Sequence, residues 1–163
     1  MRVPAENLLG EEGKGFHQIM WELQGERLSA AAGACAGAQL TLDGTVEYVK
    51  SREAFGQPVS QFQAVRHKLA ECQMAIDAAR ALTYETAWRV QLGEYPVQAI
   101  TEAKLLATRT HFQVADACLQ LHGGYGYMME FGVQRAWRDS RLARIGAGAD
   151  EVMLDYIAKA MGI

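Results

Sequence analysis

Apolar residues recur along this chain at the spacing of buried helix faces. One set recurs every third or fourth position between residues 62 and 79, and a second set follows a similar pattern between residues 100 and 121. The first set is Phe62, Val65, Leu69, Cys72, Ile76 and Ala79, and the second is Ile100, Ala103, Ala107, Val114, Cys118 and Leu121. Such steps place side chains on one side of an α-helix. The pattern therefore predicts two long helices, each with one buried face.

A longer helix is predicted ahead of these two, from about residue 15 to residue 52. Its apolar face consists of Phe16, Met20, Leu23, Val46 and Val49. The centre of the segment, "SAAAGACAGAQ" at residues 29–39, contains small residues that let a neighbouring helix approach closely. Each glycine there costs roughly 1 kcal/mol relative to alanine. The segment is interpreted as one very long helix or as two nearly collinear ones.

Two shorter helices are predicted near the C-terminal end. One runs from about residue 130 to residue 144, after the glycine-rich break "HGGYGY" at residues 122–127. The last helix follows residue 149, and its predicted apolar side carries Val152, Met153, Tyr156, Ile157 and Ala160.

The breaks between the predicted helices are short, which favours a compact bundle. Pro4, Pro58 and Pro96 are the only prolines, and each lies at a predicted boundary. We predict an all-α fold, an antiparallel four-helix-type bundle with long helices, over residues 16–163. Residues 1–15, "MRVPAENLLGEEGKG", hold too much Pro, Gly and charge for a core helix. They are interpreted as a linker or the end of a preceding β-domain, so we expect the chain to be a piece of a longer one.

Composition narrows the class of protein. The chain has 163 residues, half of them hydrophobic, and a net charge of −3, which gives no general attraction to nucleic acid. The longest uncharged run, residues 28–42, is too short to span a bilayer. Three dispersed cysteines predict buried reduced thiols in a soluble intracellular protein, and the four histidines lack the spacing of a metal site.

Four stretches carry candidate chemistry, and each also has a structural explanation. Glu26 and Arg27 follow Gly25, which would let a ligand approach closely, but spacing alone favours an exposed charged pair. "SREAFGQP" at residues 51–58 offers an arginine for phosphate and an aromatic ring, but is also an ordinary helix stop. "QLHGGYGYM" at residues 120–128 could bind an anion through its backbone. "GADE" at residues 148–151 begins a helix, whose first turn accounts for both carboxylates.

Taken together, these segments resemble the C-terminal helical domain of the acyl-CoA dehydrogenase flavoproteins. The resemblance covers essentially the whole chain in order. It rests on "VPAENLLGEEGKGF", "GERLSAA", "SREAFGQPVSQFQAVRHKLAE", "QLHGGYGYM", "WRDSRLARI" and "GAGADEVM". The first of these is similar to the exit from the family's middle β-domain.

The resemblance implies a set of FAD contacts. Arg52, Phe55 and Gln63 match positions that in the family contact FAD, commonly the FAD held mainly by a neighbouring subunit. The family's Gln-x-x-Gly-Gly segment on the same cofactor matches Gln120, Leu121, His122, Gly123 and Gly124. The turn beside the flavin matches Ala149, Asp150 and Glu151, with alanine replacing the family's threonine, so one hydroxyl contact is missing.

The resemblance also implies where the catalytic base stands. Many members carry a catalytic glutamate at the position of Ala147, and alanine cannot take a proton. The isovaleryl-CoA and long-chain subfamilies instead place the base immediately before the arginine that matches Arg27, and this sequence has Glu26 there. The family's chemistry then assigns Glu26 to removal of the acyl α-proton, Arg27 to orienting the carboxylate or contacting the substrate, and the backbone N–H of Ala147 to the developing enolate oxygen.

The implied function is α,β-dehydrogenation of an acyl-CoA thioester, with hydride passing to flavin N5. FAD is the implied cofactor, electron-transfer flavoprotein the implied electron acceptor, and a homodimer or homotetramer the implied assembly. The location would be cytoplasmic in a bacterium or the mitochondrial matrix in a eukaryote. An acyl-CoA oxidase and a non-catalytic helical interaction module are the alternatives. Because the family's other domains hold much of the flavin, we expect these residues alone to be inactive.

Overall fold

The computed structural model describes residues 2–163 and consists almost entirely of helices. Its elements are α1 Gly15–Ser51, β1 Glu53–Ala54, β2 Gln57–Pro58, α2 Gln63–Gln91, α3 Val97–His122, α4 Gly124–Tyr127, α5 Gly132–Ala143 and α6 Asp150–Ala160. Single 3-10 turns occur at Ala5–Asn7 and Val59–Gln61. The predicted all-α fold is confirmed, and the first segment is one continuous helix.

The three long helices run up, down and up, so that α2 is antiparallel to both α1 and α3. Two clusters of buried apolar side chains lie between them, one rich in alanine and one containing larger residues. The first contains Ala31, Ala34, Cys35, Ala79, Ala103 and Ala107, and the second contains Ala38, Leu42, Cys72, Ile76, Val114, Cys118 and Val133. The small side chains allow close approach of the helix axes, as the sequence predicts.

The fourth position of the bundle is shared by two short helices. Helix α5 packs on the C-terminal half of α3, where the Trp137 indole N–H donates to Asp116. Helix α6 packs on the N-terminal half, where Arg109 pairs with Asp150. The turn between α5 and α6 therefore lies beside the N-terminal half of α3, where Lys104 reaches the Gly148 carbonyl.

Several predicted local features differ in the structure. The sequence pattern predicts apolar faces that include Phe16, Val152, Tyr156 and Ala160. These residues are exposed, because they lie at helix ends or sides that no other element of residues 2–163 covers. The two-residue strands β1 and β2 form a small hairpin that the sequence pattern does not predict. The segment 2–14 holds a 3-10 turn and no strand, and position 1 of the predicted linker lies outside the described residues.

The cysteines behave as predicted. Cys35, Cys72 and Cys118 are buried and unpaired. Burial raises the pKa of the Cys118 thiol to about 11, which keeps it protonated and unreactive at neutral pH. The described residues contain no helix long and apolar enough to cross a membrane.

Candidate functional site

Glu26 and Arg27 are sequence neighbours with opposite surroundings. The Glu26 side chain is exposed, whereas Arg27 retains only 5% of its accessible surface. A methyl group added at Gly25 would meet nothing within 4 Å, so packing within the described chain does not require that glycine. Glu22 lies one helical turn before Glu26, and partial desolvation together with the Glu26 carboxylate raises the pKa of Glu22. This part of α1 thus carries two neighbouring exposed carboxylates, Glu22 and Glu26, next to the buried Arg27.

The buried Arg27 connects α1 to the turn at residues 146–149. Its Nε donates a hydrogen bond to the carbonyl oxygen of Ala147 at 3.0 Å, although 120 residues separate the two in sequence. Burial lowers the pKa of Arg27, with the nearby Tyr156 and Tyr95 acting in the opposite direction. The arginine remains charged at neutral pH, because a guanidinium does not lose its proton in proteins. Arg27, the residue after Glu26, therefore ties α1 to Ala147.

The backbone of the 146–149 turn is unusual. Ala147 has φ +55° and Gly148 has φ +118°, conformations that favour glycine. A Cβ at Gly148 would approach the terminal methyl of Met153 to 2.5 Å, so no larger residue fits at that position without a shift. An alanine seldom adopts the left-handed conformation, which costs on the order of 1 kcal/mol or more of conformational free energy. Such strained residues cluster at functional sites.

Asp150 begins α6, but its side chain points into the protein and is 4% exposed. Its Oδ2 accepts hydrogen bonds from Arg109 Nε at 2.9 Å and from Arg144 Nε and Nη2 at 2.9 and 2.6 Å. Burial alone would raise the pKa of Asp150, but the bonds from Arg144 and Arg109 hold it below its usual value. The other oxygen, Oδ1, has no hydrogen-bond partner among residues 2–163. Glu151, next in sequence, is exposed.

A second group of predicted residues lies at the other end of the bundle, around a groove of about 580 Å³. Its lining includes Arg52 from the end of α1 and the whole segment 120–124 from the end of α3. Gly123 has φ +59°, which lets the chain turn sharply between α3 and α4. The structure thus brings together the arginine of "SREAFGQP" and the "QLHGG" segment, which the sequence separates by more than sixty residues.

Aromatic rings form one wall of this groove. Tyr48 stacks on His122 with ring centroids 4.1 Å apart, and the Arg52 guanidinium lies 5.4 Å from the centre of the Tyr125 ring. The Nδ1 atom of His122 lies 2.8 Å from the carbonyl oxygen of Cys118. Since a carbonyl only accepts, Nδ1 carries the proton in this arrangement. The sequence pattern does not predict that Tyr48 and Tyr125 line this groove; the four-residue spacing between Tyr48 and Arg52 is the signal that points to Tyr48.

Phe55 and Gln63 lie outside the lining of the groove. Phe55 stands at the tip of the hairpin with φ +55° and 96% exposure, and packs edge-on against Phe62. Gln63 is the exposed first residue of α2. A bulky aromatic residue that is both strained and almost fully exposed gains little from its own chain, which is typical of a residue that contacts something else.

The predicted site residues therefore form two groups at opposite ends of the bundle. With a rise of 1.5 Å per residue, Glu26 and Arg52 lie about 39 Å apart along α1. By the same measure, Lys104, which contacts the 146–149 turn, and Gln120, which lines the groove, lie about 24 Å apart along α3. No single small ligand can touch both groups of one chain.

The described residues form an all-α helical domain with an aromatic and arginine-lined groove at one end and a strained, glycine-containing turn at the other. The sequence profile of the acyl-CoA dehydrogenase C-terminal domain matches residues 13–162. The chain belongs to the acyl-CoA dehydrogenase family.

Known relatives agree over nearly the whole chain. The short-chain specific acyl-CoA dehydrogenase of Megasphaera elsdenii is 42% identical over 154 residues, which is 94% of this chain and 40% of that protein. The crystal structure of an acyl-CoA dehydrogenase from Geobacillus kaustophilus superposes with a TM-score of 0.96 at 42% identity, covering 99% of this chain and 42% of that one. A chain in the electron transferring flavoprotein structure from Acidaminococcus fermentans superposes with a TM-score of 0.94 at 36% identity, covering 98% and 42%. This chain thus spans about two fifths of the length of the relatives it matches.

Proposed function

We propose that this chain is the C-terminal helical part of an FAD-dependent enzyme that dehydrogenates an acyl-CoA thioester between its α and β carbons, with Glu26 as the catalytic base. The observation that carries the proposal is the hydrogen bond from Arg27 Nε to the carbonyl oxygen of Ala147. The bond ties the residue that follows Glu26 to the turn where, by the resemblance, many members of the family carry their catalytic glutamate and this chain has alanine, and this supports Glu26 as the base. An exposed carboxylate is free to reach a ligand that covers it.

The residues of this chain have distinct roles in the proposed reaction. Glu26 removes the α-proton of the acyl group, which is weakly acidic, so the carboxylate must be held close to it. Arg27 anchors α1 to the turn and orients the neighbouring carboxylate. The backbone N–H of Ala147 donates to the thioester oxygen as negative charge develops there, a role that needs no side chain. FAD, when bound, supplies the acceptor for the hydride that leaves the β carbon.

The residues present fit FAD in two places. Arg52 provides a guanidinium for phosphate, and the stacked Tyr48 and His122 rings and Tyr125 provide aromatic surface for a ring system. Phe55 in the hairpin and Gln63 at the start of α2 follow Arg52 at the same end of the bundle. At the other end, the 146–149 turn offers a glycine and the positive end of the α6 dipole, with Ala149, Asp150 and Glu151 in its first turn. Both places are suited to a dinucleotide.

The separation of the two groups supports a shared cofactor. Because one FAD cannot touch Arg52 and the 146–149 turn of the same chain, we propose that two copies of the protein complete each site. The groove of one subunit would hold one part of an FAD molecule. The flavin of that same FAD would lie against the 146–149 turn of the neighbouring subunit. The assembly would then be a homodimer or a homotetramer.

Anaerobic mixing of the complete enzyme with acyl-CoA tests the proposed function. We expect the flavin absorbance to bleach, and we expect one enoyl-CoA to form for each flavin that is reduced. A non-catalytic helical interaction module would leave the flavin absorbance unchanged.

We also propose electron-transfer flavoprotein as the acceptor, which is supported by the similarity to the Acidaminococcus chain. Reoxidation of the reduced flavin should be faster with that acceptor than with oxygen, whereas an acyl-CoA oxidase would give the reverse order.

A further inference from the structure

Among residues 2–163, Lys104 is the largest side chain that is completely buried, with 0% exposure. Its Nζ donates to the carbonyl oxygen of Gly148 at 2.6 Å, and that is its only hydrogen bond within residues 2–163. Burial lowers the pKa of Lys104, while Asp150 raises it and Arg27 lowers it further. Burying an ammonium group is costly, and an apolar residue of similar size would fill the same space without that cost. The lysine is therefore poorly explained by packing alone.

Lys104 and Arg27 bind two consecutive carbonyl groups. Arg27 donates a hydrogen bond to the carbonyl oxygen of Ala147, and Lys104 donates one to that of Gly148. Because both cations are buried, both carbonyls point into the protein. In a planar trans peptide the N–H points opposite to the C=O. The N–H groups of Gly148 and Ala149, which share these two peptide units, must therefore point outward. Neither has an acceptor among the described residues.

We infer that Lys104 is a positioning residue for the 146–149 turn. It holds the Gly148 carbonyl inward and thereby presents the backbone N–H groups of Gly148 and Ala149 to a ligand oxygen that carries or develops negative charge. The oxygen belongs either to the thioester of the substrate or to a phosphate of the cofactor. This inference rests on the proposed function for the identity of the ligand, but the orientation of the turn is independent of it. Lys104 lies deep inside the bundle and touches neither ligand itself.

The Lys104→Met variant tests the inference, because methionine fills the space without a donor. Thr108→Val is the matched control: Thr108 is equally buried one turn later on α3, and its hydroxyl bonds only to the carbonyls of Lys104 and Leu105. We expect the crystal structure of Lys104→Met to show the Gly148–Ala149 peptide rotated, and that of Thr108→Val to keep it. An unchanged peptide in Lys104→Met overturns the inference, whether or not the wild type reduces flavin. If the methionine variant does not fold, Lys104→Gln, one atom too short to reach Gly148, serves the same comparison.

Kinetics of the complete enzyme then identify the ligand oxygen. If it belongs to the thioester, the limiting rate of flavin reduction in Lys104→Met should fall on the order of 10- to 100-fold, with FAD affinity retained. If it belongs to a phosphate, the dissociation constant of FAD should rise and the reduction rate of the saturated enzyme should stay the same. A rotated peptide with neither slower flavin reduction nor weaker FAD binding would contradict the positioning role. A wild type that reduces no flavin would refute the proposed function, and the crystal structures would then decide the orientation of the turn alone.

Discussion

Asp150 receives more internal hydrogen bonds from cations than any other carboxylate of the described chain. Arg109 and Arg144 donate hydrogen bonds to one of its oxygens, and its charge raises the pKa of the nearby Lys104. Ion pairs on the helix surfaces, such as Lys159 with Asp155, are largely exposed and contribute little to stability. At the scale of single residues, the charges that matter most for the fold therefore surround the 146–150 turn.

Replacing Asp150 by asparagine should destabilise the chain by about 2 kcal/mol at pH 7, because two arginines lose their charged partner in a largely buried place. The value is below that of a fully buried pair, since both arginines are partly exposed. Urea unfolding measures the difference. Asp155→Asn, on the same helix, is the matched control and should change the free energy of unfolding by less than about 0.5 kcal/mol. Equal effects of the two substitutions would contradict this account.

The same carboxylate predicts a pH dependence. The pKa of Asp150 is lower in the folded than in the unfolded chain, so the unfolded state binds more protons in acid. Its stabilising effect is complete above the unfolded value of about 3.9 and is lost as pH falls through the folded pKa. The difference in stability between wild type and Asp150→Asn should therefore narrow below about pH 4. A difference that stays constant from pH 7 to pH 2.5 would show that Asp150 does not carry this linkage.

Residue-level prediction from the sequence was uneven for a physical reason. The helical pattern placed Asp150 in the first turn of α6, where the structure has it. It did not show that the side chain turns inward, because Arg109 is 41 residues away in sequence. Lys104 gave no signal, since a lone lysine in a helix is normally exposed. By spacing alone, Glu26 and Arg27 look like one surface pair, whereas the structure buries Arg27 against Ala147 and leaves Glu26 exposed.

The elements were easier to predict than the side chains. Helix α1 begins and ends within about a residue of its predicted limits, because its apolar pattern and the stop signal at "SREAFGQP" are both local. The sequence pattern does not predict the hairpin after it, since each strand has only two residues and the turn carries Phe55 where Asn or Gly would be expected. The predicted groove residues are brought together by the parallel course of α1 and α3, which no local pattern encodes.

The glycines of α1 offer a test at the scale of the helix. A methyl group at Gly37 would meet the His111 ring at 2.7 Å, whereas one at Gly33 would meet nothing within 4 Å. Gly33→Ala should stabilise the chain by up to about 1 kcal/mol through helix propensity. Gly37→Ala should destabilise it by about 1 kcal/mol, because overpacking against α3 exceeds the same gain. Thermal unfolding distinguishes them, and stabilisation by both substitutions would contradict the close contact of α1 and α3.

At the scale of the whole molecule, the two groups of candidate residues cannot serve one ligand in one chain. The chain also spans only about two fifths of the length of its relatives. We therefore predict that these 163 residues by themselves bind FAD weakly and show no turnover. Flavin fluorescence titration and anaerobic addition of acyl-CoA measure the two properties. Bleaching of bound flavin by acyl-CoA in this chain alone would contradict the need for the rest of the enzyme.

The most direct test of the account is the rate of flavin reduction in the Glu26→Gln variant of the complete enzyme, followed by rapid mixing with acyl-CoA. The variant keeps the size of the side chain and removes the base, so reduction should slow by about 10³-fold or more while FAD stays bound. Glu22→Gln removes the other exposed carboxylate one turn earlier on α1 and should retain most of the wild-type rate. Reduction at the wild-type rate in Glu26→Gln would show that the base lies elsewhere.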